Sequence, residues 1–252
     1  EVSLLLKLMS VCPLPDLQLE SILTDLRRAI LLSIDELSDS SEALRFQSAL
    51  ALQCFTNEYV YVQTDAELER LRVLATSIEE ALSQNEQPKP EAILCLASYV
   101  ALHEYEWCDM LASSDAIAEV TKRQVTEPNE EKRIRAQLPI LNEISDSVSS
   151  AVREQYEGNP YPRWVNLSVS TDPVPISQLV EELNLKLFDK RIITVEAPNI
   201  LVAGCGTGQH PMGTAARFRN SKVLAVDLSL SSLAYAKRKT LEFDLKNLDY
   251  MQ

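Results

Sequence analysis

Glycine is nearly absent from this 252-residue chain: there are five, and none falls in residues 1–157. Glycine weakens helix interiors and is needed where the backbone takes a positive φ. Its absence fits long helices joined by short turns. Histidine is scarcer still, with only His103 and His210, which excludes a histidine-rich metal centre; no metal ligands are assigned. The five cysteines, Cys12, Cys54, Cys95, Cys108 and Cys205, are widely spaced and form no C-x-x-C pair. That excludes a disulfide framework or zinc ribbon and fits a reducing compartment. No apolar run reaches the ~18 residues of a bilayer span. The apolar start EVSLLLKLMSVCPLPD lacks a basic leader and a small-residue cleavage site, so it is not read as a signal peptide. Basic charge is also short: the net charge is −13. An acidic chain is a poor match for nucleic-acid phosphates or an anionic membrane surface. A cytoplasmic protein that binds neither is expected.

What is present fits a globular protein of one or two domains, 46% hydrophobic and 24% charged. DLQLESILTDLRRAILLSIDEL carries Leu17, Leu19, Ile22, Leu23, Leu26, Ile30 and Leu31 at helical spacing. SEALRFQSALALQCFTNEYVYV repeats the pattern. TDAELERLRVLATSIEEALSQ opens on a capping box, Thr64 with Glu67. KPEAILCLASYVALHEYEW starts a helix at Pro90. EPNEEKRIRAQLPIL and SDSVSSAVREQYEGN add two candidates. Residues 1–157 therefore read as an all-helical domain, without a tetratricopeptide period of its own. EGNPYPRWV, with Gly158, Pro160 and Pro162, ends that region. Residues 158–190 read as a linker and covering segment, with a short helix SQLVEELNL capped by Ser177. Residues 191–252, with RIITVEAPN, NILVAG and KVLAVDLS as strand candidates, alternate strand and helix, the pattern of a parallel sheet with crossover helices.

ILVAGCGTGQH holds three glycines, Gly204, Gly206 and Gly208, and Gly213 follows. An apolar strand, a glycine turn and a helix start together bring free N–H groups to a ligand. The turn is not a P-loop, because no Lys-Ser or Lys-Thr follows it. It is G-x-G-x-G, with Gln209 where the dinucleotide fingerprint has its third glycine.

VAGCGTGQ followed by VLAVDLS resembles motif I and the second strand of class I S-adenosylmethionine-dependent methyltransferases. AVREQYEGNPYPRW, LSLSSLAYAKRKT and QCFTNEYVY resemble a bacterial subfamily in which a helical, tetratricopeptide-associated region precedes the catalytic domain. The resemblance implies a Rossmann-like methyltransferase portion, incomplete at its C-terminal side, preceded by an all-α domain. It implies S-adenosyl-L-methionine as cofactor; the methyl acceptor, a small molecule, a protein or a lipid, is not identified by these motifs. It places Ala203, Gly204, Cys205, Gly206, Gly208 and Gln209 under the cofactor. Asp227 takes the ribose hydroxyls, with Leu228 beside it; a carboxylate has two oxygens for two vicinal donors. The family's later strands, its adenine-binding acid and its acceptor loops lie beyond the matching residues. The catalytic part is therefore expected to be truncated or completed by oligomerisation, and no catalytic residue is assigned.

Other readings stand beside these. Asp227 is also a candidate helix cap. Cys205 is a small residue tolerated in the turn, and His210 a packing residue at a helix start. In NPYPRW, Tyr161 and Arg163 either fold over the cofactor, with Arg163 pairing its carboxylate, or the segment is a rigid linker whose Tyr161 and Trp164 anchor the helical region to the catalytic domain. The chain as a whole is either a methyltransferase or a helical interaction module with a non-catalytic cofactor fold. An NAD-dependent enzyme is a third reading, and Gln209 counts against it.

Overall fold

The computed structural model describes residues 2–36, 40–141, 157 and 160–252. The expected helix over SDSVSSAVREQYEGN falls, apart from Glu157, outside them. Two compact units are present, Glu1–Asn129 and Glu130–Gln252. Together they make a mixed α/β chain, mostly helical, with one three-stranded parallel sheet among the described residues.

The first unit contains α1 (Val2–Val11), α2 (Leu17–Leu32), α3 (Ser41–Thr56), α4 (Asp65–Ser83), α5 (Pro90–Ala97) and α6 (Ala118–Thr121). A π-helical turn, Lys122–Thr126, leads into α7 (Glu127–Arg135), within which the unit boundary falls. Side-chain oxygens answer the unpaired amides at the helix starts. Asp16 accepts from the Leu19 amide at 2.8 Å, and Ser40 from the Ala43 amide at 3.2 Å. Thr64 and Glu67 form the reciprocal box expected from their spacing. Pro90 is in the first turn of α5, where its missing N–H has no partner to lose.

Two sequence readings need correction here. The apolar face of α2 is narrower than its leucines suggest. Leu23, Arg27 and Leu31 turn inward, while Leu17 and Ile22 are 85% and 55% exposed. A spacing of four keeps one face of a helix, and this face has an arginine at its centre. The helix at Pro90 also stops early, at Ala97, and two 3₁₀ turns follow, Leu102–Glu104 and Glu106–Met110. Gln124 fixes that departure. Its Oε1 accepts from the Leu102 amide at 3.1 Å, while Nε2 donates to the Ala97 and Ala51 carbonyls.

The second unit carries α8 (Ile176–Glu182), β1 (Asn199–Ala203), α9 (Gln209–Arg217), β2 (Lys222–Val226), α10 (Leu230–Glu242) and β3 (Leu248–Met251). The sheet order is β1-β2-β3, with Ala203 opposite Val226 and Val226 opposite Met251. The C-terminal ends of the three strands are therefore level, and the helices serve as crossovers. Two further details differ from expectation. Pro175, not Ser177, sits at the start of α8, and no side chain caps it. RIITVEAPN gives a 3₁₀ turn, Lys190–Thr194, ahead of β1. Among the described residues no helix is long and apolar enough to cross a membrane.

Candidate functional site

β1 ends in a turn that only glycine enters without strain. Gly204, Gly206 and Gly208 have φ of 67°, 52° and 90°, in the left-handed region that a Cβ disfavours. The Gly204 and Cys205 amides both donate to the Val226 carbonyl, at 2.9 and 3.1 Å, which ties the turn to the end of β2. The three glycines differ in what surrounds them. A Cβ on Gly204 or Gly206 would meet nothing within 4 Å. On Gly208 it would lie 2.6 Å from the Ala236 Cβ and 3.1 Å from the Tyr250 hydroxyl. Gly208 thus lets the turn press against α10 and β3, whereas Gly204 and Gly206 leave open space beside their backbone.

Asp227 follows β2 directly, and two backbone amides hold its carboxylate. Gly206 N–H donates to Oδ2 at 2.8 Å and Ser229 N–H to Oδ1 at 3.0 Å. The capping role belongs to Ser229, whose hydroxyl accepts from the Ser232 amide at 3.1 Å. An ionised carboxylate has about four acceptor positions. One on each oxygen is used, so each oxygen can still accept. A cavity of about 710 Å³ opens there, over the level strand ends, where open parallel sheets bind ligands.

Of the residues singled out from sequence, Tyr161, Gly204, Gly206, Asp227 and Leu228 line this cavity. The others are not among its described lining. Ala203 and Gln209 are exposed beside the turn, and Gly208 is packed beneath it. Arg163 is 8% exposed next to Trp164. Cys205 is buried, and burial, followed by the Asp227 charge, pushes its thiol up to about 12. It therefore stays protonated at neutral pH and is no nucleophile. His210 is exposed at the start of α9.

PYPRW, residues 160–164, packs onto the glycine turn through Trp164. The Trp164 indole N–H donates to the Thr207 carbonyl at 2.9 Å, and the Thr207 hydroxyl to the Pro162 carbonyl at 2.9 Å. The Tyr235 hydroxyl of α10 donates to the Trp164 carbonyl, and the two rings meet edge-on with centroids 6.0 Å apart. Trp164 is thus an anchor within the second unit, and it brings Tyr161 to the cavity rim.

Sequence reasoning missed Leu141, Val226, Ser229, Ser232 and Gln252 in the lining. Val226 and Gln252 follow from one rule, since residues at the C-terminal ends of parallel strands face the ligand crevice. Leu141 carries no such signal. It is placed by its own amide donating to the Gln252 carbonyl at 2.8 Å and by the Gln252 amide donating to the Pro139 carbonyl at 3.0 Å.

Compared with protein-family models, with curated proteins and with solved structures, the chain matches none. Function therefore has to be argued from the site. The site offers a carboxylate with spare acceptor capacity, an exposed glycine backbone and apolar walls at Leu141, Tyr161 and Leu228. Among the described residues no cluster of three His, Cys, Asp or Glu could hold a metal.

Proposed function

We propose that this chain binds S-adenosylmethionine at the ends of its parallel strands and belongs to a methyltransferase whose acceptor is a small molecule or a protein. The observation that carries the reading is the Asp227 carboxylate, fixed by the Gly206 and Ser229 amides with both oxygens still able to accept. Vicinal ribose hydroxyls supply two donors side by side, and that donor pair fits this acceptor pair. Gly204 and Gly206, with open space where a Cβ would stand, leave room for a ligand against the backbone. The strand order and parallel register match one half of a Rossmann-like sheet.

The cofactor supplies a methyl group on a sulfonium, already activated for transfer. The chain's own residues bind and orient. The glycine backbone at Gly204 and Gly206 would lie against the ligand, Asp227 would accept from its two hydroxyls, and Leu228 and Tyr161 would give apolar contact. In-line transfer rests mainly on positioning. Cys205, held protonated, does not offer a covalent route. Gln209 stands where a dinucleotide site places the glycine for closest helix approach, which favours this cofactor over NAD.

The test is calorimetric titration of the chain with S-adenosylhomocysteine. Saturable binding is expected. Asp227→Asn should weaken it about ten-fold and Asp227→Ala somewhat more, as removal of charge-assisted hydrogen bonds does. Binding of NAD in place of S-adenosylhomocysteine would turn the assignment to a dinucleotide enzyme. A folded chain that binds neither would end it.

A further inference from the structure

The first unit has a cavity of its own, of about 550 Å³, between α1, α3 and the start of α6. That volume falls in the range of small-molecule sites. Its less exposed lining is apolar, with Leu6, Leu44, Ala49 and Leu52. Four exposed charged residues also line it: Lys7 on α1, Arg45 on α3, Asp115 ahead of α6 and Glu119 on α6. Among the described residues no ion pair joins any two of them. Elsewhere in the same unit the surface arginines Arg28, Arg70 and Arg72 each pair with a carboxylate. Here two cations and two carboxylates border one apolar cavity and leave one another unmatched. The Ser3 and Ser48 hydroxyls also line it, and each can donate and accept.

A ligand that satisfies these four residues has to carry both charges, separated by an aliphatic body. An anion alone would face Asp115 and Glu119, and a cation alone would face Lys7 and Arg45. We infer that this cavity binds a short zwitterionic peptide, whose carboxylate pairs with Lys7 and Arg45, whose ammonium pairs with Asp115 and Glu119, and whose aliphatic side chains lie on Leu44 and Leu52. A single amino acid shares the chemistry but fills less of the volume. The site is separate from the strand-end cavity and does not depend on the methyltransferase reading.

The experiment uses the full chain and trileucine, observed by ¹H–¹⁵N NMR titration with calorimetry. Trileucine with free ends should give saturable shifts centred on α1, α3 and α6. N-acetylation or C-terminal amidation should each weaken binding about three-fold, within the worth of an exposed charged pair. Arg45→Gln should weaken the free peptide and leave the C-terminal amide unchanged. Glu119→Gln should weaken the free peptide and leave the N-acetyl form unchanged. Both side chains are exposed, so the fold should tolerate either change, which circular dichroism checks. Free leucine binding more tightly than trileucine would replace the peptide with an amino acid and overturn the assignment as stated. Equal binding of free and doubly blocked trileucine would reduce the cavity to an apolar groove and overturn it. So would the absence of saturable shifts at millimolar peptide.

Discussion

The interior of the first unit and the strand-end cavity of the second surround a charged group differently. In the first unit, Arg27 is 0% exposed, with its guanidinium 4.1 Å from the centroid of the Tyr99 ring and 5.4 Å from that of Tyr61. It donates to the Ser98, Tyr61 and Val62 carbonyls, and Nε alone lacks a partner. Glu67, also 0% exposed, accepts from the Tyr99 hydroxyl at 2.7 Å, from the Thr64 amide and hydroxyl at 2.8 Å and from Arg28 at 3.1 Å. In the second unit, Asp227 borders a cavity and receives one amide on each oxygen. Buried polar groups need partners. When the chain supplies nearly all of them, the group serves the fold. When it supplies half and leaves space beside the rest, the group suits a ligand.

The widest separation between the two cases should come from Arg27→Ala. It removes three hydrogen bonds and the ring contacts and leaves a cavity, at a cost of about 3–5 kcal/mol. Denaturant unfolding measures it. A loss below about 1 kcal/mol would remove Arg27 from the structural side of the comparison.

Acid should reveal Glu67 next. Burial raises its pKa, but the hydrogen bonds from Tyr99, Thr64 and Arg28 together outweigh burial and hold it near 2, below the ordinary 4.5. A carboxyl with a depressed folded pKa stabilises above its unfolded pKa and loses that contribution as pH falls through the folded value. Stability should therefore decline between about pH 4.5 and 2, by on the order of 3 kcal/mol from this group. Glu67→Gln should flatten that part of the profile, and an unchanged acid limb would show that other carboxyls govern it.

The glycine turn allows a sharper test inside the second unit. Gly208→Ala forces a Cβ against Ala236 and should cost about 2–3 kcal/mol. Gly206→Ala meets open space and should cost about 1 kcal/mol from its positive φ alone, yet lose more S-adenosylhomocysteine affinity relative to its stability cost. Thermal unfolding and calorimetry on both variants give the two orderings. The smallest effect belongs to the exposed pair Arg72–Glu69, with side chains 77% and 71% exposed. Arg72→Ala should change stability by less than about 0.5 kcal/mol.

Much of this was legible because it is local. The Thr64–Glu67 box, Pro90 at a helix start and the strand–turn–helix at Gly204 depend on residues a few positions apart. The position of Asp227 after β2 was legible for the same reason. The burial of Arg27 was not, because its carbonyl partners at Tyr61, Val62 and Ser98 come from other segments. Nor was the division of labour among the glycines, since the spacing of Gly204, Gly206 and Gly208 is uniform and only the approach of Ala236 and Tyr250 distinguishes them. Trp164 was read as tying the helical region to the catalytic part; its receiving groups, Thr207 and Tyr235, lie within its own unit and were not legible.

By itself the sequence determined where α4 and α5 begin and where β1 gives way to a turn, because caps, prolines and positive-φ glycines act over one turn of chain; it misplaced the start of α8. It also determined that an acidic side chain follows the second strand of a parallel pattern. Only the tertiary structure decided that Asp227 keeps acceptor capacity beside a cavity, that Leu141 and Gln252 close it, and that Arg27 rather than an apolar residue centres the inward face of α2. Those outcomes depend on hydrogen bonds and packing between residues far apart in the chain, which local pattern does not encode.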